Sequence, residues 1–271
     1  MKKFKIIGLM SFLSVMFLVG CTPAKVLTPS EMILPKKGKY EKMESSQGLS
    51  GWEKGIWEYE HKNYKKALEL LEPYKDKNIG RVDHAYGYMY NSGYGGLGKD
   101  INKAAEYYVK SIKESNYPPS LNNLGALYIQ AREPNKAFVL YTKSAEQGYA
   151  VAQGNLAAMY EASGKPKKAL ELYLKAAKNG DASAQCRLGK IYRYGHLGVS
   201  SDYGKSFYWL QQADNQDYPE AAYEIGMLYQ FGFGVDKNLH KAVSWFKRSK
   251  SLGDFKGASS LIYIRKKYGI E

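Results

Sequence analysis

The stretch Ile225–Phe246, IGMLYQFGFGVDKNLHKAVSWF, decides the fold, because its pattern recurs along the chain. A small residue, Gly226, is followed three positions later by Tyr229; then come a glycine-rich turn, Lys241-Ala242, and the large pair Trp245 and Phe246. The first step recurs at Gly87/Tyr90, Gly125/Tyr128, Ala157/Tyr160 and Gly189/Tyr192. The second recurs as Ala104 with Tyr107 and Tyr108, Ala137 with Leu140 and Tyr141, Ala169 with Leu172 and Tyr173, and Ser206 with Trp209 and Leu210. A first copy fits less closely: Gly55, then Ala67, Leu70 and Leu71. Successive anchors (Gly55, Gly87, Gly125, Ala157, Gly189, Gly226) are spaced 32, 38, 32, 32 and 37 residues apart.

Periods of this size denote stacked supersecondary units, and apolar residues at i, i+3 and i+4 make each unit two amphipathic helices. The small anchor lets two helix axes approach, and the aromatic of the second helix is expected to fill the next groove. One hairpin cannot bury its stripe alone, so neighbours supply the missing wall. The expected class is all-α: an α-α superhelical solenoid, one curved rod of about six helix-hairpin repeats over residues 49–258. A C-terminal cap, 259–271, closes it with a helix from Ser259 to about Lys267.

These residues resemble the Sel1-like repeat (SLR) family, a relative of the tetratricopeptide repeats. The sixth repeat carries the likeness best: Ile225-Gly226-Met227-Leu228-Tyr229, Gly232-Phe233-Gly234-Val235, Lys241-Ala242 and Trp245-Phe246. The second and fifth repeats, with long turns, also match; the first, third and fourth have short turns and look like plain tetratricopeptide repeats. The resemblance covers about residues 50 to 265.

At the N-terminus, Lys2, Lys3 and Lys5 precede the apolar run Ile6–Val19, which ends in Leu18-Val19-Gly20-Cys21. The run falls short of the roughly 20 apolar residues that span a bilayer, so residues 1–20 read as a removed signal. The tetrapeptide resembles the bacterial lipoprotein box. That resemblance implies cleavage before Cys21, diacylation of its thiol, and, with Thr22 rather than aspartate next, an outer-membrane anchor facing the periplasm. Acyl chains contribute about 0.8 kcal/mol per buried methylene. Residues 21–48, with Pro23, Pro29 and Pro35, read as a flexible tether.

Loss of Lys2, Lys3 and Lys5 lowers the formal charge from +14 to +11. Such a balance suits an acidic partner or anionic headgroups, or simply solvated lysine-rich faces. Nucleic acid is excluded as a partner by the exported address and the lack of a reading motif. With Cys21 lipidated, Cys186 alone cannot close an internal disulfide.

Motifs that imitate chemistry do not hold up. Gly93-Tyr94-Gly95-Gly96-Leu97-Gly98 satisfies G-x-G-x-x-G, but that pattern needs a strand before it, and here it joins two helices. His61, His84, His196 and His240 form no i, i+4 pair and have no cysteine partners. Cys186 reads as a buried or groove-lining thiol rather than a nucleophile. The sequence therefore calls for no cofactor, no metal and no catalysis.

Resemblance to tetratricopeptide repeats implies that one stripe of each first helix lines a concave groove. With the anchor as zero, positions −3, +1 and +4 share that stripe. The candidate contacts at −3 are Trp52, His84, Asn122 and Tyr223, beside Cys186 in the same row. Those at +1 are Ile56, Tyr88, Lys190 and Met227, and those at +4 are Tyr59, Asn91, Ile129, Glu161, Arg193 and Gln230. Ile56 and Met227 fit core packing equally well. These rows vary while the anchors repeat, as a shared scaffold with a private binding face would.

The expected function is a non-catalytic scaffold that holds another protein in the groove, lipid-anchored in the cell envelope. Lipid-anchored SLR proteins resemble partners of antibacterial phospholipases, which implies an immunity protein that caps a toxic effector in the periplasm. An envelope adaptor or assembly factor is the alternative reading, and a cell-wall-active enzyme a third.

Overall fold

The computed structural model describes residues 46–49 and 51–270. The signal segment 1–20, the lipidation expected at Cys21 and nearly all of the tether lie outside the described residues. Among the described residues the chain is all α-helix, with no strand. Helices pack as consecutive hairpins in two units, residues up to 152 and from 153 onward, the boundary falling inside one helix.

The first unit holds α1 (Gly51–Glu60), α2 (Tyr64–Leu71), α3 (Gly80–Ser92), α4 (Ile101–Ser115), α5 (Pro118–Gln130) and α6 (Pro134–Glu146). A 3₁₀ turn, Glu72–Tyr74, follows α2, and α7 (Ala150–Ala162) carries the boundary. The second unit continues with α8 (Pro166–Lys178), α9 (Ala182–Tyr194), α10 (Tyr203–Asp214), α11 (Pro219–Phe231), α12 (Leu239–Ser251) and α13 (Phe255–Tyr268).

The anchors explain why the hairpins close. A Cβ on Gly87 would stand 2.7 Å from the Tyr108 ring, and one on Gly226 would stand 2.6 Å from the Phe246 ring. Both distances are shorter than van der Waals contact, so the ring occupies the space a side chain would need. For Tyr108 and Tyr141 the expectation of a place in the next groove is corrected: like Leu210 and Phe246, they seat on the anchor of their own hairpin. A missing Cβ opens a socket directly opposite the second helix, and the nearest large side chain drops into it.

The repeating tyrosine and lysine form a second clasp. Lys103 lies over the Tyr90 ring at 5.2 Å, Lys136 over Tyr128 at 5.1 Å, Lys168 over Tyr160 at 5.4 Å, Lys205 over Tyr192 at 5.3 Å and Lys241 over Tyr229 at 5.3 Å. Each such contact contributes about 0.5–1 kcal/mol when exposed. The lysine comes from the start of the second helix and the tyrosine from the end of the first, so the contact fixes each turn.

The long turns are glycine-built. Gly93 and Gly232 sit at φ 72° and 75°, in the left-handed region, and their N–H groups donate to the Met89 and Leu228 carbonyls. Glycine adopts that conformation without a Cβ penalty. The G-x-G-x-x-G stretch is therefore a helix C-cap followed by a turn into α4, which Asp100 caps by accepting from the Asn102 and Lys103 N–H groups at 3.0 Å. The terminal helix begins at Phe255, four residues before the expected Ser259, because Asp254 caps it by accepting from Lys256 N–H at 3.0 Å.

Asp83 of α3 is buried, and its Oδ2 has no hydrogen-bond partner. Burial pushes its carboxyl up to about 6, against the pull of Lys110. A carboxyl raised in the folded state contributes stability below its unfolded pKa and loses it as pH rises through the folded value. Asp83→Asn is therefore expected to stabilise the protein by about 1–3 kcal/mol at pH 7 and above. The gain should shrink between pH 6 and pH 4, read as urea midpoints across that range.

Candidate functional site

The first-helix stripe of the first unit is a packed aromatic and amide layer. Ile56, Tyr59, His84, Tyr88, Asn91 and Asn122 are all buried, while Trp52 and Ile129 are half-buried. The Tyr59 ring meets Tyr64, His84 and Tyr88 edge-on at 6.0, 6.3 and 5.7 Å. Asn122 donates to Asn123 Oδ1 at 3.2 Å, and Asn123 donates to the Tyr108 hydroxyl at 3.3 Å. Burial, with neighbouring tyrosines adding to it, pushes the Tyr59 and Tyr88 hydroxyls up, so both are neutral.

His84 belongs to a hydroxyl chain. Ser111 Oγ donates to the Gly80 carbonyl at 2.6 Å, and Ser120 Oγ donates to Ser111 Oγ at 2.7 Å. The Ser120 proton is thus committed, so His84 Nδ1, 2.9 Å from Ser120 Oγ, is the donor. Burial pushes the imidazole down to about 3, with Arg81 adding to it. A Ser–His pair of this kind imitates a hydrolase dyad, but a useful base titrates near the working pH, and Ser120 has no exposed surface. The chain ties α3, α4 and α5 together instead.

An open hollow of about 750 Å³ lies at the start of α2, lined by Lys62, Asn63, Tyr64, Lys65, Lys66, Gly95 and Gly96. Lys66 is engaged by Glu58 at 2.8 Å, and Tyr64 stacks on Tyr94 at 4.6 Å.

In the second unit the stripe is a ladder of ion pairs between successive first helices. Glu161 of α7 accepts from the Arg187 guanidinium of α9 and from the Tyr173 hydroxyl, the latter at 2.9 Å. Lys190 of α9 and Lys256 of α13 both donate to Glu220 Oε1 of α11, at 2.9 and 3.0 Å. Burial pushes the Glu220 carboxyl up, but the two lysines outweigh it and hold it down at about 2. Arg193 pairs with Glu224 of α11, and both side chains are enclosed. The Arg193 guanidinium also lies 4.8 Å from the Tyr194 ring centre and 5.5 Å from that of Phe233. Cys186 is buried, and burial pushes its thiol well up, with Glu220 and Glu224 adding to it, which keeps it protonated.

The candidate residues therefore divide. Ile56, Tyr59, His84, Tyr88, Asn91, Asn122, Arg193 and Gln230 are enclosed by the chain itself. Helical spacing gives a direction around an axis but not the distance to the next helix, and these side chains point into that gap. Trp52, Ile129, Glu161, Lys190, Tyr223 and Met227 keep partial access to solvent. The rows missed two residues one place beyond +4, Tyr194 and Phe231, which are 50% and 51% exposed. Their signal was present: an aromatic immediately before the turn glycine in two successive repeats. Phe231 stacks with Phe233 at 5.6 Å, and Phe233 stacks with Tyr203 at 5.2 Å. Among the described residues, no three His, Cys, Asp or Glu side chains converge as metal ligands would. No helix among them is long and apolar enough to cross a membrane.

A family model described as the Sel1 repeat matches residues 83–116, 118–149, 150–181, 182–218 and 219–254. No curated protein matches the chain. It is similar to the solved Sel1 repeat protein of Oxalobacter formigenes, at 26% identity and TM-score 0.68, over 80% of this chain and 90% of that one. It is also similar to a protective antigen of uropathogenic Escherichia coli with an SLR fold, at 26% identity and TM-score 0.59. That likeness covers 82% of this chain but 50% of the antigen, so the chain spans half its length. An immunity protein of Pseudomonas aeruginosa shares the fold at 20% identity and TM-score 0.51, over 79% of this chain and 83% of its own.

Proposed function

This chain belongs to the Sel1 repeat family, and from that premise we propose that it is a lipid-anchored immunity protein that neutralises an antibacterial effector acting in the periplasm, such as a secreted phospholipase. The coarser statement, a protein-interaction scaffold, comes with the repeat fold. The finer one rests on the lipoprotein-like sequence ending at Cys21 and on the immunity proteins of Pseudomonas aeruginosa among the fold neighbours.

The single observation that carries a binding role is the pair Tyr194 and Phe231, half-exposed at equivalent places in successive repeats, Tyr194 against the Arg193 guanidinium held by Glu224 and Phe231 stacked on Phe233. Large aromatics and arginine are the side chains that anchor protein interfaces. They spend apolar area on water in the free protein, and a partner's surface removes that cost. A membrane-tethered binder would meet a membrane-attacking enzyme where it acts.

The test is co-expression of the full-length protein with a periplasm-directed effector encoded beside it. Tyr194→Ser/Phe231→Ser is expected to weaken effector binding by at least tenfold, on the order of 1.4 kcal/mol or more, with unchanged helicity. Cys21→Ser should release the protein from the membrane fraction and reduce protection without reducing affinity in solution. Protection that survives loss of both aromatics would remove the assigned surface. An envelope defect on deletion, with no effector present, would favour the adaptor role instead.

A further inference from the structure

The last helix of the second unit leaves a face bare. Ile262 of α13 stands in the register of Gly226 in α11, since both lie seven residues into their helices. Gly257 and Ile264 of α13 are buried, as Ala221 and Leu228 are at the matching places in α11. α13 is thus a first helix packed on the preceding hairpin, and among the described residues no second helix covers its other side. That side carries Phe255 and Ile262, exposed by 75% and 69%, one above the other two turns apart. Beside them are Tyr263 and Tyr268, and the exposed Arg265, Lys266 and Lys267.

The last turn of α13 is basic, with Arg265, Lys266 and Lys267 in succession, whereas Lys256 and Arg248 nearby are already paired with Glu220 and with Asp214 and Asp217. Lys267 donates to the Tyr263 hydroxyl at 2.8 Å and lies 5.3 Å over both tyrosine rings, which meet edge-on at 6.5 Å. Rings with a polar rim and a lysine head above them suit a boundary between water and hydrocarbon.

We infer that the bare face of α13 docks on an anionic lipid surface. Phe255 and Ile262 enter the headgroup–acyl boundary, the tyrosines lie at headgroup level, and Arg265, Lys266 and Lys267 meet lipid phosphates. A second helix cannot seat on this face as it does elsewhere, because Ile262 stands at the anchor register where glycine leaves room for a large side chain. Two copies meeting face to face would oppose like charge. The lipid surface matches both the apolar stripe and the positive rim.

The test uses the full-length protein with hydroxyl-radical footprinting, in the presence of vesicles of phosphatidylcholine alone or of phosphatidylcholine mixed with phosphatidylglycerol. Oxidation of Phe255, Ile262 and Tyr263 is expected to fall roughly threefold or more on the anionic vesicles only, while Tyr208 on α10 is unaffected. The N-terminal segment can hold the chain to either vesicle, so the comparison at α13 reads local docking. Salt at roughly 0.5 M, where the Debye length is about 4 Å, should abolish the protection. Lys266→Glu/Lys267→Glu should weaken it by roughly tenfold or more, and Phe255→Ser/Ile262→Ser should remove it, both with native helicity. Equal oxidation on the two vesicle types would overturn the assignment. So would protection that grows with protein concentration in the absence of lipid, which would make a second copy the occupant.

Discussion

Arg193→Ala should lower unfolding stability by about 3–5 kcal/mol, the range for removing one partner of a buried ion pair. The guanidinium is the counter-charge for Glu224, and both side chains are nearly sealed from solvent, at 4% and 6% exposure. Burial pushes the Glu224 carboxyl up, and Arg193 and Lys190 bring it only part of the way back. Without Arg193 it should rise further. Because a raised carboxyl loses stability as pH rises through its folded value, the deficit should be greatest at neutral and alkaline pH and smallest in acid. Arg193→Ala/Glu224→Gln should recover part of it by removing the stranded charge. Arg193→Met/Glu224→Leu should lie near wild type, since well-packed apolar residues can replace a buried pair. Urea denaturation at acid and alkaline pH checks all three; a loss below about 1 kcal/mol that is flat in pH would mean that solvent screens the pair.

Phe246→Ala should cost about 3–5 kcal/mol, as large-to-small core changes of this size do. Its ring has no exposed surface, covers Gly226, and packs among Ala242, Val243 and Ile264 with Tyr223 at 5.7 Å. On the anchor side the cavity left behind is lined by a glycine, which has no side chain to swing in. Adding volume from the other side gives a sharper check. Gly226→Val alone should destabilise by about 1–3 kcal/mol through overpacking, because its Cβ would stand 2.6 Å from the ring. Combined with Phe246→Ala it should cost less than the sum, the sign of two changes sharing one space. Additive losses measured by denaturation would contradict the socket.

The two predictions also show which parts of the molecule were readable beforehand. Gly226, Tyr229, Lys241 and Phe246 announce the hairpin by spacing alone, because each acts within about 20 residues of the next. The turn glycines are as local, since a left-handed backbone angle is a property of one residue. The stripe residues are different. His84 meets Ser120, 36 residues on, and Arg193 meets Glu224, 31 residues on. Whether such a side chain faces a guest or a neighbouring helix depends on a separation that periodicity does not encode. Tyr194 and Phe231 escaped for a related reason: the last residue of a helix leaves the stripe as the chain turns away. The early start of α13 was written in Asp254, an N-cap residue overlooked because the repeat pattern had already ended.

Ile262 also sets a rule for how a protein of this kind can change length. A single second helix added behind α13 would find a branched side chain in the seat its ring requires, whereas a whole duplicated hairpin brings the small residue on its own first helix. Lengthening such an array therefore proceeds by whole hairpins, never by a lone second helix set against Ile262.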